Sequence, residues 1–291
     1  MAARRPFRIR GSWMRRIAAV ALLTLYLGAW IGVSAAWTGL VAPLAAAQLI
    51  PALLAGAWGI VLAVFLLTLL FGRIYCSVLC PLGLMQDAIS RLTSGWIRRK
   101  KKPGFTPAHT RIRWIFLLLC IAGLLTGHAA LTGLLDPYSI FGRISTLLLR
   151  PAANAARGAD FMGQVTGGGW MTVAFGWAPF LMVGIMAAGW GRLYCNTICP
   201  VGTMLGVCSK RAVVRIRLDA CTQCGRCDRM CKAHCIDSRA GTLDASRCVM
   251  CFNCLDACKR GCMSFRGSDR KSAAPEMDIP SIPASTPEGA P

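Results

Sequence analysis

The sequence predicts a mainly α-helical protein: a four-helix transmembrane domain of two repeated hairpins, followed by a small α+β module rich in cysteine. Three observations predict it. Four apolar runs are each long enough to cross a bilayer, which takes about 20 residues. A twelve-residue segment recurs after the second and the fourth run. Near the C-terminus the spacing C-x2-C-x2-C-x3-C occurs twice.

Residues 1–16 form a basic N-terminus carrying Arg4, Arg5, Arg8, Arg10, Arg15 and Arg16. The membrane domain spans 17–210, with its crossings at 17–41, 49–71, 112–135 and 171–190. Pro51 and Pro179 fall inside the second and fourth and are tolerated where neighbouring helices re-satisfy the freed carbonyls. The loop between the first two spans carries no charge. The loop between the second and third holds Arg73, Arg91, Arg98, Arg99, Lys100, Lys101, Lys102, Arg111 and Arg113 against Asp87 alone. In the loop after the third span, Arg143, Arg150 and Arg157 are offset by Asp136 and Asp160. The positive-inside rule then puts both termini and the cysteine-rich module in the cytoplasm. A net charge of +21 would suit nucleic acid, but its placement beside apolar runs marks topology and anionic headgroups instead. Arg4-Arg5-Pro6-Phe7 loosely resembles a twin-arginine signal; the long first run and the three after it favour an uncleaved anchor.

Gly72-Arg73-Ile74-Tyr75-Cys76-Ser77-Val78-Leu79-Cys80-Pro81-Leu82-Gly83 returns as Gly191-Arg192-Leu193-Tyr194-Cys195-Asn196-Thr197-Ile198-Cys199-Pro200-Val201-Gly202. Each copy ends a hairpin at the cytoplasmic face, so the repeat places two C-x3-C-P motifs near a pseudo-twofold axis. On a helix, cysteines four apart share one face. Cys76, Cys80, Cys195 and Cys199 are thus candidate ligands of a further metal centre, a redox-active dithiol pair, or packed thiols, with Arg73 and Arg192 supplying positive surroundings.

Residues 211–266 form the module. Three thiolates in a C-x2-C-x2-C loop hold three corners of a [4Fe–4S] cluster, and the fourth cysteine of each run ligates the other cluster. One expected set is Cys221, Cys224, Cys227 and Cys258; the other is Cys248, Cys251, Cys254 and Cys231. Zinc is the competing reading, but paired C-x2-C knuckles are its usual sign. Sixteen cysteines on a reducing side bind metal rather than form disulfides. Lys232 and Lys259 stand where ferredoxin runs usually have proline, and an ammonium there favours the reduced cluster. Cys235 and Cys262 are expected to pack beside the clusters, and Cys120 and Cys208 to pack in the core. With His109, His128 and His234 the only histidines, a bis-histidine haem between spans is not expected. His128, Asp136 and Tyr138, near the outer end of the third span, are candidate quinol contacts, because ionisable residues at membrane depth are unusual. The competing reading has Asp136-Pro137 terminating a helix. Residues 267–291 are expected to be a disordered tail.

Taken together, the doubled G-R-x-Y-C-x3-C-P-x-G motif, four spans and two cysteine runs resemble the NapH/MauN family of membrane polyferredoxin-type proteins, related to the C-terminal half of NosR. Arg111-Ile112-Arg113, Asp136-Pro137-Tyr138-Ser139-Ile140 and Ser209-Lys210 extend the likeness to nearly the whole chain up to Arg266. The resemblance implies a multi-pass protein of the bacterial inner membrane that exchanges electrons with the quinone pool. It further implies a periplasmic iron–sulfur partner of the NapG or MauM type, serving nitrate reductase or methylamine dehydrogenase. Three functions follow from it: a quinol-oxidising subunit, a maturation factor supplying reducing equivalents for a periplasmic enzyme, or a structural anchor.

Overall fold

The computed structural model describes residues 11–31, 35–93, 104–158, 160, 169–218 and 221–267. The four arginines before residue 11, the Lys100–Lys102 run and the tail after residue 267 lie outside them. Helices dominate. The first half contains α1 (Gly11–Ile31), α2 (Ala35–Ala46), α3 (Leu49–Leu54), α4 (Trp58–Phe71), α5 (Tyr75–Val78) and α6 (Pro81–Leu92). The second contains α7 (Thr110–Leu125), α8 (Ala129–Leu135), α9 (Pro137–Ile144), a π turn over Ser145–Leu149 and α10 (Arg150–Ala155). It continues with α11 (Gly169–Trp190), α12 (Leu193–Thr197) and α13 (Pro200–Ser209).

The expected spans differ from these helices in continuity. The 17–41 run is shared by α1 and α2, and the 49–71 run is divided into α3 and α4 by a turn at 55–57. The 112–135 run breaks between α7 and α8 at Gly127, whose φ of +70° lies in the left-handed region that residues with a β-carbon avoid. Hydropathy sums transfer free energy and is blind to such turns, since the residues around them are apolar. Among the described residues two helices, Ser12–Ile31 and Gly169–Trp190, are long and apolar enough to cross a membrane.

The repeat is visible in the packing. Helix α6, which follows the first motif, packs on α11 of the second half, and α13, which follows the second motif, packs on α4 of the first. Each post-motif helix therefore packs across onto the other half as well as within its own. Leu82, Tyr26, Ile140, Phe141, Ile144 and Val183 fill the interior between them, each at most 1% exposed. By contrast Leu62 and Leu66 on α4, Leu118 on α7 and Ile185 on α11 are exposed.

The module closes its ends as an antiparallel pair, β1 (Val214–Leu218) against β4 (Met263–Gly267), with Val214 opposite Gly267 and Leu218 opposite Met263. Between them lie a hairpin, β2 (Ile236–Asp237) with β3 (Thr242–Leu243), and two single-turn helices, α14 (Arg226–Met230) and α15 (Asn253–Ala257).

Candidate functional site

Each cysteine run contributes a loop and a short helix. In both, the residue before the second cysteine is left-handed, Gln223 at φ +53° and Met250 at φ +50°, and so is the residue after it, Gly225 at +67° and Phe252 at +59°. These alternating conformations curl the backbone so that N–H groups face the sulfurs; the Gln223 N–H donates to Cys221 Sγ at 3.4 Å. A nest of this kind suits a negatively charged centre. Phe252 occupies the strained position where the first loop has Gly225, and it is held there edge-on to Phe265 at 5.4 Å.

The fold gathers the cysteines crosswise around two cavities. The outer, of about 280 Å³, is lined by Cys221, Cys224, Cys227 and Cys258, together with Cys262. The inner, a narrow space of about 10 Å³, is lined by Cys231, Cys248, Cys251 and Cys254, together with Cys235. Each set thus combines three cysteines of one run with the fourth of the other. Each cavity has five thiols around it, and four are the donor set a [4Fe–4S] cluster takes, so the residues present fit the group. Cys235 sits directly beside the inner set, its Sγ 3.6 Å from that of Cys231. The hydrogen bond between them brings Cys231 down to about 7, against the effect of burial, and pushes the Cys235 thiol up. Either thiol of the pair can be the donor. Among the described residues, no three cysteine, histidine or carboxylate groups converge as ligands of a single ion do.

The repeated motif does not run as a single helix. Cys76 and Cys195 sit inside α5 and α12, whereas Cys80 and Cys199 are the N-caps of α6 and α13. Proline at the next position bars the α conformation from the residue before it, and ψ is 114° at Cys80 and 117° at Cys199. All four are buried. Burial, chiefly, raises the affinity of Cys80, Cys195 and Cys199 for their protons, and repulsion from neighbouring sulfurs adds to it.

Over these cysteines the two arginines cross. Arg73 Nη2 donates to the Cys195 carbonyl at 3.0 Å, and Arg192 Nη1 donates to the Cys76 carbonyl. The glycine closing each motif leaves room for the crossing: a β-carbon on Gly83 would lie 2.8 Å from Arg192 Nη1, and one on Gly202 2.8 Å from Arg73 Nη2. This reciprocal clasp is also the seat of the module. Arg73 Nη1 donates to the Ser246 carbonyl at 2.8 Å, Asn196 Nδ2 to the Ala233 carbonyl at 3.2 Å, and the Arg192 N–H to the Lys232 carbonyl at 3.1 Å. Asp87 is the hub, within 2.8 Å of Arg192, 2.7 Å of Lys232 and 3.2 Å of Arg15. Burial pushes its carboxyl up, but Arg192 and Lys232 outweigh burial and hold it well below the usual carboxylate range. Lys232 directly follows Cys231 of the inner cavity, so the segments that carry the inner cavity rest on the repeat.

The candidate quinol contacts are not assembled in the same way. Asp136 accepts from the N–H and Oγ of Ser139 at 2.8 and 2.7 Å and caps α9. Tyr138 packs on Trp30. His128 is exposed at the opposite end of α8, about 12 Å of helical rise from Asp136 at 1.5 Å per residue. Asp87 and Gln86 were missed from sequence; Gln86 Nε2 donates to Cys195 Sγ at 3.3 Å. A lone carboxylate in a strongly basic segment was the available signal for Asp87.

Comparison with known proteins gives a consistent picture. A family model described as a 4Fe-4S binding domain matches residues 53–103 and 170–218, the two repeated halves. The methylamine utilization ferredoxin-type protein MauN of Paracoccus denitrificans is 31% identical over 193 residues, covering 65% of this chain and 56% of the relative. The ferredoxin-type protein NapH of Escherichia coli is 25% identical over 184 residues, covering 58% and 50%. The putative electron transport protein YccM, also of E. coli, is 25% identical over 191 residues, covering 62% and 47%. The chain spans about half the length of these curated relatives. No solved structure matches it.

Proposed function

The chain belongs to the NapH/MauN family of ferredoxin-type proteins, and from that premise we propose that it is a membrane electron-transfer protein linked to the quinone pool. The observation that carries this is the crosswise gathering of two four-cysteine sets in a module seated on the paired C-x3-C-P motifs. In this reading Cys221, Cys224, Cys227 and Cys258 hold an outer [4Fe–4S] cluster, and Cys248, Cys251, Cys254 and Cys231 an inner one. A bound cluster supplies reversible one-electron redox chemistry. The protein supplies burial, sulfur ligands, inward-facing N–H groups, and the clasp that fixes the inner cavity against Cys76, Cys80, Cys195 and Cys199.

The exposed apolar side chains of α4, α7 and α11 support a membrane setting, since contiguous surface of that kind is costly in water. The charge pattern supports four crossings with both ends and the module on the cytoplasmic side. On the outer side, His128, Asp136 and Tyr138 are proposed to contact quinol; turnover unchanged in His128→Ala and Asp136→Asn counts against them. A periplasmic iron–sulfur partner completes the reading.

The test uses anaerobically purified chain whose clusters have been counted by iron content and EPR. The clusters are reduced, excess reductant is removed, and a quinone analogue is added with rapid mixing. Fast reoxidation, lost on replacing Cys76 and Cys195, is the expected result. Clusters that stay reduced favour the second reading, a maturation factor feeding reducing equivalents to a periplasmic enzyme. That second reading is favoured by the outer cavity, where Cys224 is exposed and a soluble donor has access.

A further inference from the structure

The two cysteine cavities differ in access and in the charge around them. At the inner cavity all four candidate ligands are at most 9% exposed. At the outer cavity Cys224 is exposed, Cys221 and Cys258 are half-buried, and the cavity wall includes Arg226, Lys259 and Arg260, all exposed. The adjoining groove, about 470 Å³, continues the same side with Arg229 and a further face of Arg226 and Lys259. Two acids stand close by, and each is engaged within the chain. Asp228 accepts from the N–H and Oγ of Ser238, and Asp256 accepts from Ser12 Oγ and faces Arg16 at 3.9 Å. What the outer cavity presents to the surroundings is therefore a cationic rim around accessible sulfur.

We propose that this rim is the docking surface for a soluble, acidic one-electron carrier protein, which exchanges electrons with the centre held in the outer cavity. The proposal rests on the reading that this cavity holds a cluster. In the exchange one electron moves: the carrier is oxidised by one equivalent as the centre is reduced by one, or the reverse, with no bond made and no proton required. The same docked geometry serves both directions. Opposite charge around the point of exchange raises the encounter rate and suppresses basic partners, which is the use to which rim charges are commonly put. An anionic lipid headgroup would also meet these cations. The protein partner is favoured because three of the four line the cysteine cavity itself.

Flavodoxin is a suitable acidic probe and cytochrome c a basic control. The full chain is placed in phosphatidylcholine nanodiscs, iron is counted, and binding of each probe is measured at low and raised salt. Flavodoxin is expected to bind and cytochrome c not to. Raising salt from about 0.05 to 0.3 M weakens flavodoxin roughly tenfold, as screening of exposed charges requires. The triple variant R226E/K259E/R260E is expected to lose flavodoxin by at least about tenfold with iron content unchanged. Should the triple variant lose iron, R260E alone is read instead, with a weakening of roughly threefold expected. Iron-loaded chain whose flavodoxin affinity ignores both salt and these variants overturns the surface and leaves the cluster reading standing. Chain that holds no iron yet binds flavodoxin in the charge-dependent way removes the cluster reading instead. Variants that keep flavodoxin but lose a preference for phosphatidylglycerol nanodiscs make the rim a headgroup contact, which also overturns the proposal.

Discussion

Gly83 and Gly202 show how a single missing β-carbon serves the site. Each motif must admit the other half's arginine, and a methyl group at either position meets backbone on one side and a guanidinium on the other. Gly83→Ala and Gly202→Ala are expected to destabilise the chain by about 1–3 kcal/mol, the usual cost of overpacking, and to displace the arginine above the opposite cysteine. Thermal unfolding in detergent measures the first effect, and the accessibility of Cys76 or Cys195 to a thiol reagent the second. Cys231 and Cys235 make a sharper pair, being neighbours in one cavity. Cys231→Ser is expected to cut iron from about eight to about four atoms per chain while Cys235→Ser retains about eight. The reverse count would transfer the ligand role. At this scale the grouping of the cysteines around two cavities was legible because each run places three of them in one loop. Asp87 and Gln86 were not, because their partners Arg192 and Cys195 lie more than 100 residues away.

Secondary elements carry the second kind of information that sequence conceals. Run as one helix, the motif would put its cysteines on one face, but Pro81 and Pro200 split it and place Cys80 and Cys199 at N-caps. The repeat itself was legible; the packing of α6 and α13 across the halves was not, since twelve matching residues say nothing about which span each following helix packs on. Asp87, on α6, ties that packing to the module through Arg192 of the second motif and Lys232. Removing its charge leaves three cations together in a largely buried place. Asp87→Asn is expected to cost about 3–5 kcal/mol, the range for breaking a buried ion pair, and to raise hydrogen exchange in 231–249. The pH response follows from the same contacts. The folded carboxyl is held below its ordinary value of about 3.9, so its stabilisation is complete above that pH and is lost as pH falls through the lower folded value. Protection of 231–249 is thus expected to be flat from about pH 5 to 8 and to fall below about 4, whereas Asp87→Asn lacks the acid-dependent part of the response.

For the whole molecule the question is which side of the membrane the module occupies. The exposed apolar faces of the helices and the basic segments beside them agree with crossings that return each C-x3-C-P motif to one face, and the module is bound to both motifs at once. It follows physically that the two motifs and the module share a side whatever the number of crossings, because the Arg73, Asn196 and Lys232 contacts are too short to span hydrocarbon about 30 Å thick. In the proposed orientation that side is the cytoplasm. A reporter that folds only in the cytoplasm, fused after residue 267, is expected to fluoresce, and one inserted in the 94–103 segment between α6 and α7 to do the same. Alkaline phosphatase inserted in the 161–168 segment is expected to be active, since the proposed topology puts that segment between the third and fourth crossings, on the outer side. Fluorescence at 94–103 without fluorescence after 267 would separate the module from the motifs it is packed against, contradicting the fold as well as the orientation. Phosphatase active after 267 and in 94–103 but inactive at the third site would reverse the orientation alone, putting the cationic rim and its carrier on the outer side while leaving every contact within the chain intact.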